Sequence, residues 1–393
     1  MLTKYKNLIN SLIAHRLTPQ VRELYLSTLI LDFAVSAVNI FEPVFLYLIF
    51  ISRYGLTETL RFILFFYLAV YVIYFFCIPL GAKFAKRFGY EHSIAVSSVF
   101  TIFYYLSLFG ISQSFWLIIP AVIFYVLSKM FYWPAYHSDF ARYSSDGERG
   151  REICNLNVLL SVVYIFGPVM GGFLIKFYGF GILFFFASIL ILLSNVPMLI
   201  TKEKFMPTAF AYKEAFKNLF DKQKRKNFMA HLGFGEELIS LVIWPIFIFV
   251  VLNDFFALGV LAAISTAVTI FIFLFIGRLV DKSNRRLLIR YGAIFYFFSW
   301  LFRLLSRSVF SVFLIDAYAR VAKQAIAAPV TAKTYEKAQD GSVMSAVTFF
   351  EMSLVLGKII AMIMALVLLQ FFVPGWNAMF ILAGLMTLFY LLF

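Results

Sequence analysis

The chain has 393 residues, 63% of them hydrophobic, 20% aromatic and 14% charged, with a net charge of +14. A soluble domain is about half apolar and a quarter charged, so this composition excludes an ordinary soluble protein. The apolar residues fall in runs of about 20, the length of a bilayer-spanning helix. They are continuous rather than alternating, which excludes a β-barrel and leaves an all-α integral membrane protein.

The N-terminal arm, residues 1–21, places Leu2, Tyr5, Ile9 and Leu12 on one helical face. An amphipathic helix along the membrane surface is expected there, and no cleavable signal peptide. Thr18-Pro19 reads as an N-cap followed by proline in the first helical turn. Twelve spans follow, at roughly 22–51, 60–80, 92–112, 115–137, 152–175, 180–200, 228–252, 255–276, 288–306, 309–330, 342–369 and 376–393. With the N-terminus inside, 25 of the 34 Lys and Arg lie on the inner side, four on the outer side and five within spans, residues at span ends being counted with the nearer side. This asymmetry is the positive-inside pattern. It predicts both termini on the cytoplasmic side of the plasma membrane and explains the positive charge without nucleic acid. Cys77 and Cys154 lie in or beside spans, and neither a disulfide framework nor a metal site is expected of them.

Residues 201–227 form the longest polar stretch, with eight basic and three acidic residues. The segment "AYKEAFKNLFDKQKRK" predicts a short amphipathic helix in a solvated cytoplasmic linker. The chain therefore divides into a six-span bundle at 22–200, the linker, and a second six-span bundle at 228–393, an internal repeat. The loops after the second span of each bundle echo one another: "GAKFAKRFGY" at 81–90 and "GRLVDKSNRR" at 277–286.

These loops resemble the Gly-x-x-x-Asp-(Arg/Lys)-x-Gly-(Arg/Lys)-(Arg/Lys) motif of the major facilitator superfamily. The second copy supplies Gly277, Asp281, Lys282, Arg285 and Arg286, with Asn284 in place of the second glycine. The first supplies Gly81, Lys86, Arg87 and Gly89 but has Ala85 where the acid belongs. With twelve spans, two-fold repetition and a basic linker, the resemblance covers the whole chain. It implies twelve transmembrane helices in two pseudo-symmetric six-helix bundles, a secondary transporter that works by alternating access, and a monomer. In that reading the loops are gates, and Asp281 latches the cytoplasmic side. The stretch "FGPVMGG" at 166–172 is similar to the tail of a span-5 motif of the family's drug/proton antiporters. It supplies Gly167, Pro168, Gly171 and Gly172, while Cys154 and Val163 stand where upstream glycines belong. The alternative is close helix packing at a kink.

Charged groups in spans cost about 2.5–3.5 kcal/mol each unless paired or wet. Six acids (Asp32, Glu42, Glu236, Glu237, Asp316, Glu351) and five bases (Lys129, Arg303, Arg320, Lys323, Lys358) lie within them. The resemblance implies a central cavity lined mainly by spans 1, 4, 7 and 10, which hold eight of the eleven. Helical spacing groups Asp32, Ser36 and Asn39 on span 1. It groups Tyr125, Lys129, Tyr132 and Tyr136 on span 4; Glu237, Ser240 and Trp244 on span 7; and Asp316, Arg320 and Lys323 on span 10. Asp32, near the membrane centre, is a candidate proton carrier. Of the neighbours Glu236 and Glu237 one is expected to face the cavity, with the spacing to Trp244 favouring Glu237. Asp316 and Arg320 are placed to pair along their helix, and Lys129 to neutralise an acid or bind an anion. Glu351 and Lys358 are expected to tie helices together, and Glu42 to reach water.

His137 and Asp139 in "YHSDF" and the solitary His231 do not make a catalytic or metal cluster at any familiar spacing. No Gly-x-x-x-x-Gly-Lys-(Ser/Thr) loop is present for ATP. The expected activity is secondary transport of a small or amphipathic solute, not catalysis, with no cofactor beyond a coupling proton or other cation. The first expectation is proton-coupled efflux. The alternative is proton-coupled import of a small polar or zwitterionic solute such as an amino acid or peptide.

Overall fold

The computed structural model describes the backbone of residues 19–143, 149–200, 207–282, 285–339, 342–373 and 375–393. Side chains are described for 22–140, 159–200, 207–270, 285–331, 342–373 and 375–393. Thr18 and the face of Leu2, Tyr5, Ile9 and Leu12 lie outside these residues.

The described regular structure is helical. Span 1 runs Pro19–Asn39 and Glu42–Ile51, span 2 Leu56–Phe88, span 3 Tyr90–Gly110, span 4 Ile118–Tyr143, span 5 Arg149–Tyr178 and span 6 Phe180–Ser194 continued by Val196–Ile200. In the second bundle, span 8 is Phe255–Lys282, span 9 Arg285–Arg303, span 10 Val309–Gln339, span 11 Val343–Phe371 and span 12 Trp376–Thr387. Among the described residues eight helices are long and apolar enough to cross a membrane. Their outer surfaces expose Phe65, Phe76, Leu106, Phe166 and Phe185, an apolar coat that only lipid satisfies. The chain is a multi-pass membrane protein.

Two spans expected to be continuous are broken. Span 1 turns at Ile40–Phe41, where Pro43 in the first turn of Glu42–Ile51 has no N–H to give to the preceding turn. Span 7 passes from Arg225–His231 through a 3-10 turn, Leu232–Gly235, and one helical turn, Glu236–Leu238. It then widens to a π turn, Ile239–Ile243, before Trp244–Leu252. Pro245, which cannot donate to the carbonyl four residues back, stands just beyond the widened turn.

The halves meet along spans 5 and 8 and along spans 2 and 11. Gly172 lies against the Phe255 carbonyl, and Gly259 against the carbonyl of Pro168; a β-carbon at either would collide with backbone. Gly167 and Gly171 pack the same way on Ser36, Ala37 and Phe41 of span 1. The span-5 glycines thus serve close helix packing. The spans 2–3 connection also differs from expectation. The "GAKFAKRF" segment continues the span 2 helix to Phe88, and Gly89 alone makes the turn at φ 110°, where a side chain would be strained. Gly81 sits inside this helix against the Met130 carbonyl, Arg87 stacks over Phe88 at 5.3 Å, and Ala85 is fully buried. An acid in place of Ala85 would have no water to ionise into. In the second copy, Gly277, Asp281 and Lys282 lie on the end of the span 8 helix and Arg285 and Arg286 open span 9; the Asp281 side chain lies outside the described residues.

The linker holds the expected amphipathic helix, Tyr212–Leu219, with Ala215 and Leu219 buried. It rests on both halves. The Tyr212 hydroxyl donates to the Phe76 carbonyl (3.2 Å), and the Phe216 ring packs on Phe75 and Phe76. Asn218 Nδ2 donates to Ser345 Oγ of span 11 (2.9 Å).

Candidate functional site

Between the halves lies a cavity of about 780 Å³, ample for a small organic solute. All ten residues singled out from the sequence for binding or coupling line it: Asp32, Asn39, Tyr125, Lys129, Glu236, Glu237, Trp244, Asp316, Arg320 and Lys323. So do the other intra-span charges, Glu42, Arg303, Glu351 and Lys358. Spans 9 and 11 therefore contribute charge to the cavity as well as spans 1, 4, 7 and 10.

Six charges of the second half pair with one another. Lys323 Nζ bonds Glu236 Oε1 and lies 3.1 Å from Glu237 Oε1 and 2.9 Å from the Tyr390 hydroxyl. Lys358 Nζ closes on Glu237 Oε2 at 3.0 Å. Glu236 is fully buried and also accepts hydroxyl bonds from Tyr296 (2.7 Å) and Tyr390 (3.2 Å). Both neighbouring glutamates therefore face the cavity, contrary to the expectation that one would. The tight turns around Leu232–Leu238 and Lys323, which reaches both, bring them together. A second group joins Asp316 to Arg320 Nε (2.8 Å) and to Trp244 Nε1 (2.9 Å). The Arg303 guanidinium lies over the Trp300 and Trp244 rings at 3.7 and 4.4 Å, with Nε and Nη1 lacking hydrogen-bond partners.

The first half is different. Among the described residues, Asp32 has one polar partner, the Tyr164 hydroxyl at 3.3 Å. Among the described residues Lys129 has no carboxylate within ion-pair distance; its ammonium lies over Tyr125 at 4.5 Å and Tyr71 at 5.3 Å. Glu42 does not reach water as expected: it is buried and accepts from the Tyr67 hydroxyl at 2.9 Å. Tyr104 and Tyr125 stack at 4.2 Å nearby. Sequence reasoning named Tyr125 but passed over Tyr104 and the span 2 tyrosines, although Tyr67, Tyr71 and Tyr74 repeat at helical spacing and could have been read there.

Glu351 joins the halves. Its Oε1 lies 3.2 Å from His137 Nε2, and its Oε2 accepts from the Tyr74 hydroxyl at 3.2 Å. Lys358, expected to tie helices as well, bonds Glu237 within its own half. Among the described residues no group of three or more His, Cys, Asp or Glu is placed to hold a metal ion. At the far end of the bundle Lys176 of span 5 pairs with Asp254 at 2.9 Å. The Ala257 backbone N–H (2.7 Å) and this ammonium hold the Asp254 carboxyl below the usual carboxylate range.

No protein-family model and no curated protein matches the sequence. Solved structures do match its backbone. A POT family transporter in complex with a thioalcohol-conjugated peptide superposes with a TM-score of 0.70 at 12% identity, over 94% of each chain. A D-xylose–proton symporter gives 0.67 at 11% identity, over 94% of this chain and 96% of the other. The human organic anion transporter MFSD10 gives 0.67 at 15%, over 95% and 99%. The chain has the major facilitator fold. Twelve helices in two six-helix bundles with a cavity between them are what that fold places here, and at these identities the likeness concerns architecture alone.

Proposed function

We propose that the chain is a secondary transporter that carries a small solute between its halves by alternating access. The observation that carries this reading is the convergence of all eleven intra-span charges on one cavity. Each costs several kcal/mol in lipid, and a cavity that binds a charged solute gives them a use. The solute proposed is an amphipathic organic molecule with charged groups. Lys129 offers a cation held by aromatic faces, Asp32 a lightly held carboxylate, and the tyrosines aromatic faces. A proton is the proposed coupling ion, and Asp32 its carrier in exchange: protonated from outside, then deprotonated inside, which lets solute rebind. Efflux is the direction proposed, across the plasma membrane, with both termini cytoplasmic and the protein acting as a monomer.

A second reading is proton-coupled import of a zwitterion such as an amino acid or peptide. It is favoured by the same pair, since Lys129 suits a carboxylate and Asp32 an ammonium. The fold neighbours include a proton symporter and a transporter solved with a conjugated peptide, which supports this alternative.

The test is proton movement in proteoliposomes loaded acidic inside, followed with a pH-sensitive dye. Lipophilic cations, lysolipids, amino acids, peptides and sugars are added outside one at a time. A compound that discharges the gradient, with the response lost in Asp32→Asn, supports antiport. Further acidification with solute supports symport. Silence across the panel together with gradient-independent uptake refutes proton coupling.

A further inference from the structure

Span 9 ends at Arg303, and Arg307 follows in the connection to span 10. An arginine so close to the end of a span ordinarily snorkels out to headgroups and water. Arg307 is exposed. Arg303 is 2% exposed and belongs to the wall of the central cavity instead. Its guanidinium packs on two indoles, Trp300 of its own helix and Trp244 of span 7. Stacking stabilises the cation but occupies none of its N–H donors. Nε and Nη1 have no hydrogen-bond partner among the described residues, nor has Nε1 of the Trp300 ring against which they lie. Buried donors are rarely left so, because each has lost its water without gaining an acceptor.

The nearby acids do not supply that acceptor. Asp316 of span 10 and Glu236 of span 7 attract Arg303, and Arg320 opposes them. Asp316 is bonded to Arg320 and Trp244 Nε1, and Glu236 to Lys323, Tyr296 and Tyr390. Glu237 is taken by Lys323 and Lys358, and Glu351 faces His137 of the first half. Arg303 is the cation left over. Lys129 is its counterpart in the first half: a cavity cation seated on two aromatic rings, with no acid at ion-pair distance among the described residues. Glu42 attracts it from farther away and is held by Tyr67. Asp32, bonded to the Tyr164 hydroxyl, is the acid without a cation at that distance. The groups left for a solute are thus two cations, one from each half, and one carboxylate.

We infer that Arg303 is a second anion-binding group of the cavity, and that the solute is an amino dicarboxylate, with one carboxylate for Arg303, one for Lys129 and its ammonium for Asp32. A carboxylate suits Arg303 because a guanidinium packed on two indoles keeps its edge for polar partners, and the two oxygens of a carboxylate meet that edge in its own plane. Its single negative charge matches a surplus of one. Such a solute touches both halves at once, as a site between the repeats requires. The class of solute rests on the transport reading; the anion site at Arg303 does not.

The test separates the two. Equilibrium dialysis of radiolabelled benzoate, a planar monocarboxylate, is carried out on the purified full chain carrying Lys129→Met, which leaves Arg303 as the anion site. Saturable binding is expected, resistant to equal concentrations of benzamide and of chloride. Adding Arg303→Met, whose unbranched apolar side chain still packs on the indoles, should weaken it at least about tenfold, the loss of one charge-assisted bond. Arg303→Lys, which keeps the charge and loses the fork, should fall between. No binding in the Lys129→Met chain, equal displacement by benzamide, or undiminished binding with Arg303→Met overturns the site; equal displacement by chloride overturns its assignment to carboxylates. For the solute, L-aspartate, L-glutamate and L-α-aminoadipate compete with their side-chain amides on the parent chain. One acid should bind at least about tenfold more tightly than its amide, and Arg303→Met should weaken that acid by a similar factor; acids and amides that bind alike overturn the solute class. Benzoate bound through Arg303 in a chain that moves no solute supports the anion site and removes the transport reading. Solute flux in a chain whose benzoate binding ignores Arg303→Met leaves transport standing and overturns the site.

Discussion

Removing Lys323 puts the second-half network to a quantitative test. Lys323→Met leaves Glu237 its partner Lys358 but strands Glu236, a fully buried carboxylate, with the hydroxyls of Tyr296 and Tyr390 alone. Deleting one member of a buried pair costs about 3–5 kcal/mol, because the remaining charge is left uncompensated. Replacing both charges by neutral groups of similar volume is near break-even. Lys323→Met with Glu236→Gln should therefore return to within about 1 kcal/mol of the parent. Glu236→Gln alone should cost little, since Lys323 keeps Glu237 at 3.1 Å and Tyr390 at 2.9 Å. The cycle is read by SDS-induced unfolding of the purified protein, followed by tryptophan fluorescence. A coupling of about 2–5 kcal/mol is expected between the two substitutions. A double variant whose loss equals the sum of the singles would refute the assignment of Lys323 as the neutralising charge of Glu236.

Asp254→Asn removes the pair with Lys176 at the far end of the bundle. The folded carboxyl sits below its ordinary value, so its contribution is full above about pH 4 and is lost as pH falls through the depressed folded value. The melting-temperature difference between parent and variant should hold constant from about pH 5 to 7 and vanish in stronger acid; a difference that grows on acidification contradicts it. Gly259→Val drives a side chain into the Pro168 carbonyl and should cost about 1–3 kcal/mol. Gly55→Val, where a β-carbon meets nothing within 4 Å, should be silent; equal melting temperatures for the two variants would count against the close approach of spans 5 and 8. Lys129→Met should raise the KM for carboxylate-bearing solutes at least about tenfold, the loss of one charge-assisted bond. It should leave the melting temperature nearly unchanged, because Lys129 has aromatic faces rather than an acid for partners. An unaltered KM in a solute-flux assay would remove Lys129 from the binding site.

The spans were legible because a bilayer demands long apolar runs and leaves its mark on the adjoining charges. Such runs set the fold even where no family model recognises the residues. Helix ends were less legible. Leu56–Phe88 and Val309–Gln339 continue well past their apolar runs, because polar helical ends carry no hydropathy signal. The break before Glu42-Pro43 was written in the proline and lost in a run of apolar neighbours. Placement of charge in the cavity could be read from helical stripes, which bring Asp32, Lys129, Trp244 and Asp316 to its wall. The pairing could not. That Lys323 reaches two glutamates depends on the 3-10 and π turns of span 7, which helical periodicity does not describe. That Glu351 meets His137 depends on how spans 4 and 11 cross between halves, a relation with no local trace.

The two halves treat charge differently, and the difference bears on how the cavity works. In the second half Glu236, Lys323, Glu237 and Lys358 form a chain of alternating sign, and Asp316 is closed off by Arg320. The lipid penalty of about 2.5–3.5 kcal/mol per charge is largely offset there before anything binds. In the first half Asp32 and Lys129 have hydroxyl and aromatic company but, among the described residues, no counter-ion within ion-pair distance, so water or a bound solute must offset their cost. Among the described residues the cavity charges without an ion-pair partner therefore include Asp32 and Lys129 of the first half and Arg303 of the second, whose Nε and Nη1 lack hydrogen-bond partners. The one described carboxylate of the second half that reaches across, Glu351, meets a histidine.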